Sequence, residues 1–102
     1  MIARTWRGTA KPGKAADYQR HFTTNVVPHL KKLAGHRGAY LLRREDEGEV
    51  EFLAVTLWDS IDSVRAFAGQ SPNVAIVEPQ GQAALSRFDE FARHYEVAYS
   101  DV

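Results

Sequence analysis

Residues 52–67, FLAVTLWDSIDSVRAF, run from an apolar strand directly into a capped helix, and this junction decides the fold. The strand half belongs to residues 50–58, which are rich in the β-branched and aromatic side chains that favour strands. Ser60 stands at the N-cap position and Asp62 in the first helical turn, both typical of a helix start. Apolar residues then recur at helical spacing: Ile61, Val64, Phe67 and Ala68. The stretch predicts a strand followed at once by an amphipathic helix.

A second strand precedes this one. Residues 37–45 (RGAYLLRRE) are strand-like and are separated from residues 50–58 by the polar tip 46–49 (DEGE). Gly48 can take the positive φ that a tight turn needs. An antiparallel hairpin is therefore predicted.

Upstream of the hairpin, residues 2–9 (IARTWRGT) read as a strand that ends at a Lys-Pro-Gly-Lys turn. From residue 15 to residue 33 the apolar side chains recur every three or four positions, which predicts an amphipathic helix. Pro28 lies inside that helix and is expected to kink or break its last turns. Gly35 is the expected C-terminal cap.

Downstream, residues 69–72 end the second helix, residues 73–87 are ambiguous, and residues 90–99 (EFARHYEVAY) predict a final strand. Strand, helix, strand, strand, helix, strand is the ferredoxin-like βαββαβ order of an α+β fold with an antiparallel sheet. No linker or repeat interrupts residues 1–102, so a single domain is expected.

The third strand presents two apolar faces, because side chains alternate along a strand. Leu53, Val55 and Leu57 form one face, and the other carries Phe52, Ala54, Thr56 and Trp58. Helices cover only one face of such a sheet. The second face, bearing Phe52 and Trp58, is expected to need a cover, and a second copy of the chain is the economical one. A homodimer through a sheet face is predicted.

Charge and composition restrict the partners. Thirteen basic and thirteen acidic residues cancel, which argues against a nucleic-acid interface. The N-terminal residues carry no apolar stretch, and no run is long enough to span a bilayer. The chain has no cysteine, which excludes thiolate chemistry. A cytoplasmic protein without nucleic-acid or membrane partners is expected.

The opening MIARTWRG, the Lys-Pro-Gly turn and above all FLAVTLWDSIDSVRAF resemble the antibiotic biosynthesis monooxygenase family of dimeric α/β barrels. The resemblance covers nearly the whole chain and implies that fold and a dimer. It implies several activities, since some members oxidise phenolic or anthrone-type polyketides with dioxygen and no cofactor, whereas others degrade haem.

In the haem-degrading branch an asparagine, a tryptophan and a histidine are used, and their positions fall near Arg4, Phe67 and Val77 of this chain. All three residues differ here, and valine cannot ligate iron. The resemblance therefore implies no haem chemistry of that kind, and no cofactor is expected.

Two candidate catalytic residues are His94, on the last strand, and Arg4, on the first strand, which is expected at the centre of the sheet. His94 could take a proton from a phenol, because histidine titrates near neutral pH. Arg4 shares a strand face with Trp6, so Arg4 could stabilise a phenolate while Trp6 packs on an aromatic ring. The alternatives are that His94 is an interface residue, and that Arg4 pairs with a carboxylate while Trp6 is core.

Further substrate-binding candidates are Asn25, Tyr40 and Phe67. Tyr18, His21, Asn25 and His29 run along the edge of the apolar stripe of the first helix. Asn25 is expected to lie deepest of the four, and the two histidines to be solvated. Tyr40 is a hairpin aromatic whose hydroxyl needs a partner if it is buried. No carboxylate matches the two helix histidines, so no metal site is predicted.

Two functions from different classes remain open at this point. One is a cofactor-independent monooxygenase acting on a small aromatic or polyketide-like substrate. The other is a non-catalytic, small-ligand-binding or stress-associated dimer. A purely structural module with a solidly packed interior is a third alternative. An enclosed apolar pocket with converging polar groups favours the enzyme.

Overall fold

The computed structural model describes residues 1–102 and has one antiparallel sheet with all its helices on one face. Its elements are β1 (Ile2–Ala10), α1 (Ala15–His21), a π-helical turn (Phe22–Val26), α2 (Val27–Lys31), β2 (His36–Asp46), β3 (Glu49–Trp58), α3 (Ile61–Ala68), α4 (Pro79–Ala84), β4 (Leu85–Phe88) and β5 (Arg93–Glu96). The strand order is β2-β3-β1-β4, and β5 also pairs with β1. This α+β ferredoxin-like arrangement confirms the predicted fold class, with a sheet that is open rather than closed.

The central hairpin confirms the strand pair read from the sequence. β2 and β3 pair from His36↔Trp58 to Asp46↔Glu49, so both strands run further into the tip than predicted. Only Glu47 and Gly48 remain in the turn, and both have positive φ, 52° and 81°. A two-residue type I′ turn requires positive φ at both positions, which explains the placement of glycine.

The last strand differs from its prediction. Instead of one strand over residues 90–99, two short strands share the free edge of β1: β4 pairs with Gly8–Ala10 and β5 with Ile2–Thr5. Between them the chain leaves the ladder, and the carbonyl of Asp89 accepts a 2.7 Å hydrogen bond from the Trp6 indole. Strand propensity alone could not reveal this interruption, because it depends on a side chain of another strand.

The first helix keeps right-handed helical backbone angles across both junctions of the π-helical turn, but its helix type changes. Pro28 is the second residue of α2, and the helix passes through it to Lys31. The wider π-helical turn lies directly before it, where a proline would otherwise clash with the carbonyl four residues earlier. The π turn adds a residue to the winding and rotates the following side chains. None of the helices has the length and apolar character that crossing a bilayer demands.

The helices cover the face of the sheet that bears Phe52 and Trp58, whose exposed fractions are 1% and 0%. The expectation that this face needs a second copy was therefore wrong. The uncovered face carries Leu53, Val55 and Leu57, together with the exposed Tyr40 and Leu42 on β2. Alternation along β3 separates the two sets, but it does not say which set the helices choose.

Two clusters of buried side chains form the core under the helices. Ala10, Tyr18, Phe52, Ala84 and Leu85 make one, and Leu30, Trp58 and Val64 make the other. Phe52 and Trp58 lie six residues apart on the same face of β3, so each anchors one cluster. The space between the clusters is where the candidate site lies.

Candidate functional site

A cavity separates the two core clusters because the middle of the covered face of β3 is built from small residues. Between Phe52 and Trp58 that face carries only Ala54 and Thr56. Helices held at a distance by the large residues at both ends cannot close onto the small ones. The void above Ala54 and Thr56 follows from this large-small-small-large pattern.

The cavity has a volume of about 70 Å³ and is mainly apolar. Its walls are Arg4, Trp6, Tyr18, His21, Phe22, Val26, Leu30, Ala54, Thr56, Phe67, Ala75, Ile76, Val77, Glu78 and Gly81. Drug-sized ligands occupy cavities of roughly 300–1,000 Å³, and benzene fits one of about 150 Å³. A ring-shaped ligand therefore needs the roof, formed by residues 75–78, to move outward. That roof contains no helix or strand, which makes it the part of the wall best able to move.

Arg4 is the charged group in the floor of the cavity, and only 5% of it is exposed. Its guanidinium donates to the carbonyl of Pro72 and, at 3.2 Å, to the carbonyl of Val74. It also lies 5.7 Å from the centre of the Phe67 ring. Burial lowers the pKa of Arg4 to about 10, so the side chain is charged at neutral pH. No carboxylate pairs with it, contrary to the simplest expectation for a buried arginine.

His94 lies beside Arg4, on the neighbouring strand β5, and is not part of the cavity wall. Its Nε2 is 3.0 Å from Nη1 of Arg4. Because a guanidinium can only donate, Nε2 must accept, and the proton of the neutral ring belongs on Nδ1. Partial burial and the charge of Arg4 together lower the pKa of His94. The nitrogen that would act as a base towards a ligand is thus already engaged by Arg4.

On the helix side, Tyr18 and His21 line the cavity and are both buried. Burial raises the pKa of the Tyr18 hydroxyl to about 12, so it stays protonated at neutral pH. His21 Nδ1 is 3.0 Å from Nδ2 of Asn25, and the same amide nitrogen donates to Oε1 of Gln80 at 2.9 Å. Gln80 lies on α4, so this network ties the first helix to α4.

The structure brings together three of the six residues expected to form a site. Arg4, Trp6 and Phe67 line the cavity, and His94 contacts it only through Arg4. The positions of the family's haem-degrading residues, at Arg4, Phe67 and Val77, all lie in this one wall. The two remaining candidates, Asn25 and Tyr40, do not reach it.

Asn25 and Tyr40 need correction for different reasons. Asn25 is exposed and His21 is buried, the reverse of the expected order, because the π turn rotates Asn25 away from the sheet. Tyr40 lies on the uncovered face of the sheet with 53% of its surface exposed. The whole sheet separates it from the cavity.

Two cavity residues were undervalued from the sequence, Tyr18 and His21. With strict helical periodicity, Asn25 is expected to lie closer to the sheet than His21. The π-helical turn reverses this order, and periodicity alone does not predict such a turn. The small pair Ala54 and Thr56, between two large aromatics on one strand face, was a signal that could have located the cavity. The cavity offers groups suited to an anion in apolar surroundings: the guanidinium of Arg4 in the floor, and the hydroxyl of Tyr18 and the imidazole of His21 on the helix side.

No cluster of three or more histidine, aspartate or glutamate side chains is arranged to hold a metal ion. Nor do the cavity residues offer an iron ligand at the position where the haem-degrading branch has its histidine, because Val77 stands there. The residues present therefore do not fit haem bound in that manner.

Comparison with known proteins agrees with the fold. Residues 1–79 match the family model described as antibiotic biosynthesis monooxygenase. The chain is also similar to the crystal structure of a Bacillus cereus protein described as a candidate antibiotic biosynthesis monooxygenase, with a TM-score of 0.69 and 18% identity. That match covers 99% of this chain and 94% of the other, and it shows the shared fold. No curated protein matches the chain.

Proposed function

This chain belongs to the antibiotic biosynthesis monooxygenase family, and from that premise we propose that it oxidises a small aromatic or polyketide-like phenol with dioxygen and without a bound cofactor. The observation that carries the proposal is an uncompensated guanidinium, Arg4, in the floor of an apolar cavity. A positive charge in such surroundings favours an anionic ligand far more than it would in water.

The proposed reaction converts a phenol with a free para C–H into a quinone. One oxygen atom of O₂ becomes the new ring carbonyl, and the other leaves as water with the phenolic and ring hydrogens. The substrate supplies all four electrons, so no external reductant is required. The step that a protein can assist most is ionisation, because a phenolate is far richer in electrons than a phenol.

Arg4 is proposed to bind the phenolate oxygen, which lowers the pKa of the bound phenol. Trp6 and Phe67 are proposed to contact the faces of the aromatic ring. His94 is proposed to position the guanidinium of Arg4 and not to act as the base, because its Nε2 already accepts a hydrogen bond from Arg4. Asn25 is proposed to act through His21. Tyr40 has no place in this proposal.

Oxygen uptake tests the proposal directly. With a panel of mono- and dihydroxylated one- and two-ring phenols, the protein should consume O₂ and release the matching quinone. Arg4→Gln should slow the reaction by about 100-fold, the usual effect of removing a group that stabilises an anion. Arg7→Gln is the matched control, since Arg7 lies on the same strand, exposed and away from this cavity. Equal rates in the two variants, or no uptake with any phenol, would overturn the proposal.

A second candidate is a non-catalytic protein that binds a small aromatic ligand. Two observations favour it. The cavity of about 70 Å³ leaves little room for a substrate and O₂ together, and the His94 nitrogen that could act as a base is already hydrogen-bonded to Arg4. It predicts saturable binding of a phenol, abolished by Arg4→Gln, without oxygen consumption.

We also propose that the chain forms a homodimer through the uncovered face of its sheet. Members of the family are commonly dimers, and Leu53, Val55 and Leu57 lie on this face beside the exposed Tyr40 and Leu42. The cytoplasmic location and the single domain over residues 1–102 stay predictions.

A further inference from the structure

His21 has a ring nitrogen free to meet a ligand. The side chain is only 7% exposed, yet it lines the cavity. Its Nε2 has no partner in the protein, and it is not sealed away either, since the one buried side-chain nitrogen without a partner is Nδ1 of His36. Gly81 lies beside this edge of the ring, and a Cβ at this position would be in van der Waals contact with Nε2 and Cδ2 at 3.4 Å.

The proton on the ring is placed by Asn25. The amide nitrogen of Asn25 faces Nδ1 at 3.0 Å and also faces Oε1 of Gln80 at 2.9 Å. With Oε1 of Gln80 as the acceptor, Nδ2 of Asn25 is the donor in both contacts. Nδ1 must then accept, and the proton of the neutral ring belongs on Nε2.

We propose that His21 is a substrate-binding residue which donates its Nε2–H to a carbonyl oxygen, and that the substrate is a hydroxyaryl ketone whose C–H para to the hydroxyl is free, as in a two-ring phenol that carries its conjugated carbonyl on the second ring. Asn25 is the positioning residue that fixes the tautomer. This inference rests on the proposed function for the role of Arg4, and it adds the second oxygen of the substrate and the group that recognises it.

The physical reason is charge delocalisation. In a hydroxyaryl ketone, ionisation of the hydroxyl moves negative charge through the ring onto the carbonyl oxygen. Arg4 lies in the sheet floor of the cavity and His21 on its helix side, and the same cavity is lined by the rings of Trp6, Tyr18 and Phe67. A donor at each end of the conjugated system stabilises the ionised form more than either does alone. A simple phenol offers His21 nothing to bind.

The other titratable groups of the same wall are Arg4, Tyr18 and Glu78. Glu78 is exposed, at the rim, and is an acceptor that a carbonyl would avoid. Tyr18 is a second donor, and burial raises the pKa of its hydroxyl to about 12. Any test must therefore change the His21 tautomer while leaving Tyr18 in place.

The first measurement is the tautomer itself. Long-range ¹H–¹⁵N correlation spectra of the full chain, taken at about pH 8.5, separate Nδ1–H from Nε2–H imidazoles. His21 should carry its proton on Nε2 in the wild type and on Nδ1 in Asn25→Asp, where a carboxylate replaces the amide donor. Asn25 is exposed, so the variant should fold. A wild-type ring protonated on Nδ1 would overturn the inference.

The second measurement is ligand preference, with 4-hydroxyacetophenone and its shape-matched control 4-ethylphenol as binding probes, neither of which can form the quinone because its para position is substituted. The two differ in acidity as well as in the carbonyl, so the readout is how their affinity ratio changes between variants. Asn25→Asp should reduce the preference for the ketone by about three- to tenfold, the value of one hydrogen bond. Gly81→Ala, which covers Nε2, should reduce it likewise. His29→Gln, an exposed histidine on α2, should leave it unchanged.

These readouts separate the inference from the function on which it rests. An unchanged affinity ratio in both Asn25→Asp and Gly81→Ala would overturn the assignment to His21, whatever the enzyme does. Failure to consume oxygen, with the tautomer and the preference as expected, would overturn the monooxygenase proposal and keep the ligand class. If the protein consumes no oxygen and neither variant changes the affinity ratio, both the monooxygenase proposal and the assignment of His21 are overturned.

Discussion

A single buried cation gives this molecule its chemical character. An arginine sealed from water is costly unless its donors find acceptors, and Arg4 finds two backbone carbonyls and one imidazole nitrogen. None of these neutralises the charge. The positive charge therefore remains available to a ligand, while the geometry of the guanidinium is fixed by its neighbours. This combination of fixed position and free charge is what anion stabilisation requires.

His36 is a second residue with an unusual environment. Its Nδ1 is buried without a partner, and its ring meets the edge of Trp58 with centroids 5.2 Å apart. Burial, and secondarily the charge of Lys31, lowers the pKa of His36 below its ordinary value of 6.5. The protonated ring is thus less favourable in the folded state than in the unfolded state.

Stability should fall in mild acid for this reason. The unfolded state binds more protons than the folded state below about pH 6.5, so the free energy of unfolding should be fully present above that pH and decline as pH drops through the lowered pKa. His94 adds a change of the same sign. Urea unfolding at about pH 7.5 and about pH 5 measures the difference, and His36→Gln should shrink it. An unchanged difference in this variant would exclude His36 as a source.

At the scale of elements, the junction between α2 and β2 is locked against α3. Gly35 has φ of +86°, and a Cβ there would overlap Oγ of Ser63 and lie 2.6 Å from the Cβ of Ser63. Ser63 also donates its backbone N–H to the N-cap Ser60. Only glycine satisfies the backbone conformation and the close approach together.

Gly35→Ala should lower the free energy of unfolding by about 2–4 kcal/mol, combining left-handed strain with overlap. Gly13→Ala is the matched control, because Gly13 has φ of +75° but open space around it. Strain alone predicts a loss of about 1 kcal/mol there. Chemical denaturation of both variants gives the comparison, and equal losses would show that the packing against Ser63 contributes nothing.

Regular elements were predictable where local chemistry decides them. The hairpin, the Ser60 cap and the ferredoxin-like order follow from side-chain type and spacing. The interrupted last strand does not, since the chain leaves the ladder where Asp89 meets the indole of Trp6, a residue distant in sequence. Nor does the π turn before Pro28, because periodicity does not say whether a proline breaks a helix or is accommodated by a wider turn. The same limit explains the site: Arg4, Trp6 and Phe67 were found from their strand, helix and chemistry, whereas Asn25 was misplaced by the turn and Tyr40 by the choice of sheet face.

For the whole molecule, the uncovered sheet face is the feature with the largest expected consequence. A charge in its centre should prevent a face-to-face pair, because the partner would bury it without a counter-charge. Val55→Arg should sediment as a monomer at about 10 μM, where the wild type is expected to be a dimer. Thr24→Arg, an exposed substitution on the helix side, is the control. A monomeric wild type would contradict the proposed dimer.

The strand order also predicts the order in which strand pairs form during folding. β1 is synthesised first, yet its partners are β3, β4 and β5, and its pair with β5 joins Ile2 to Glu96. Contacts of such long range form late, whereas the β2–β3 hairpin closes over a two-residue turn. Pulsed hydrogen exchange during refolding should protect hairpin amides before those shared by β1 and β5. β1 can pair with β3 earlier, but until the last strand is in place its arginine lacks the imidazole of His94, and the position of the buried charge is not yet fixed from that side.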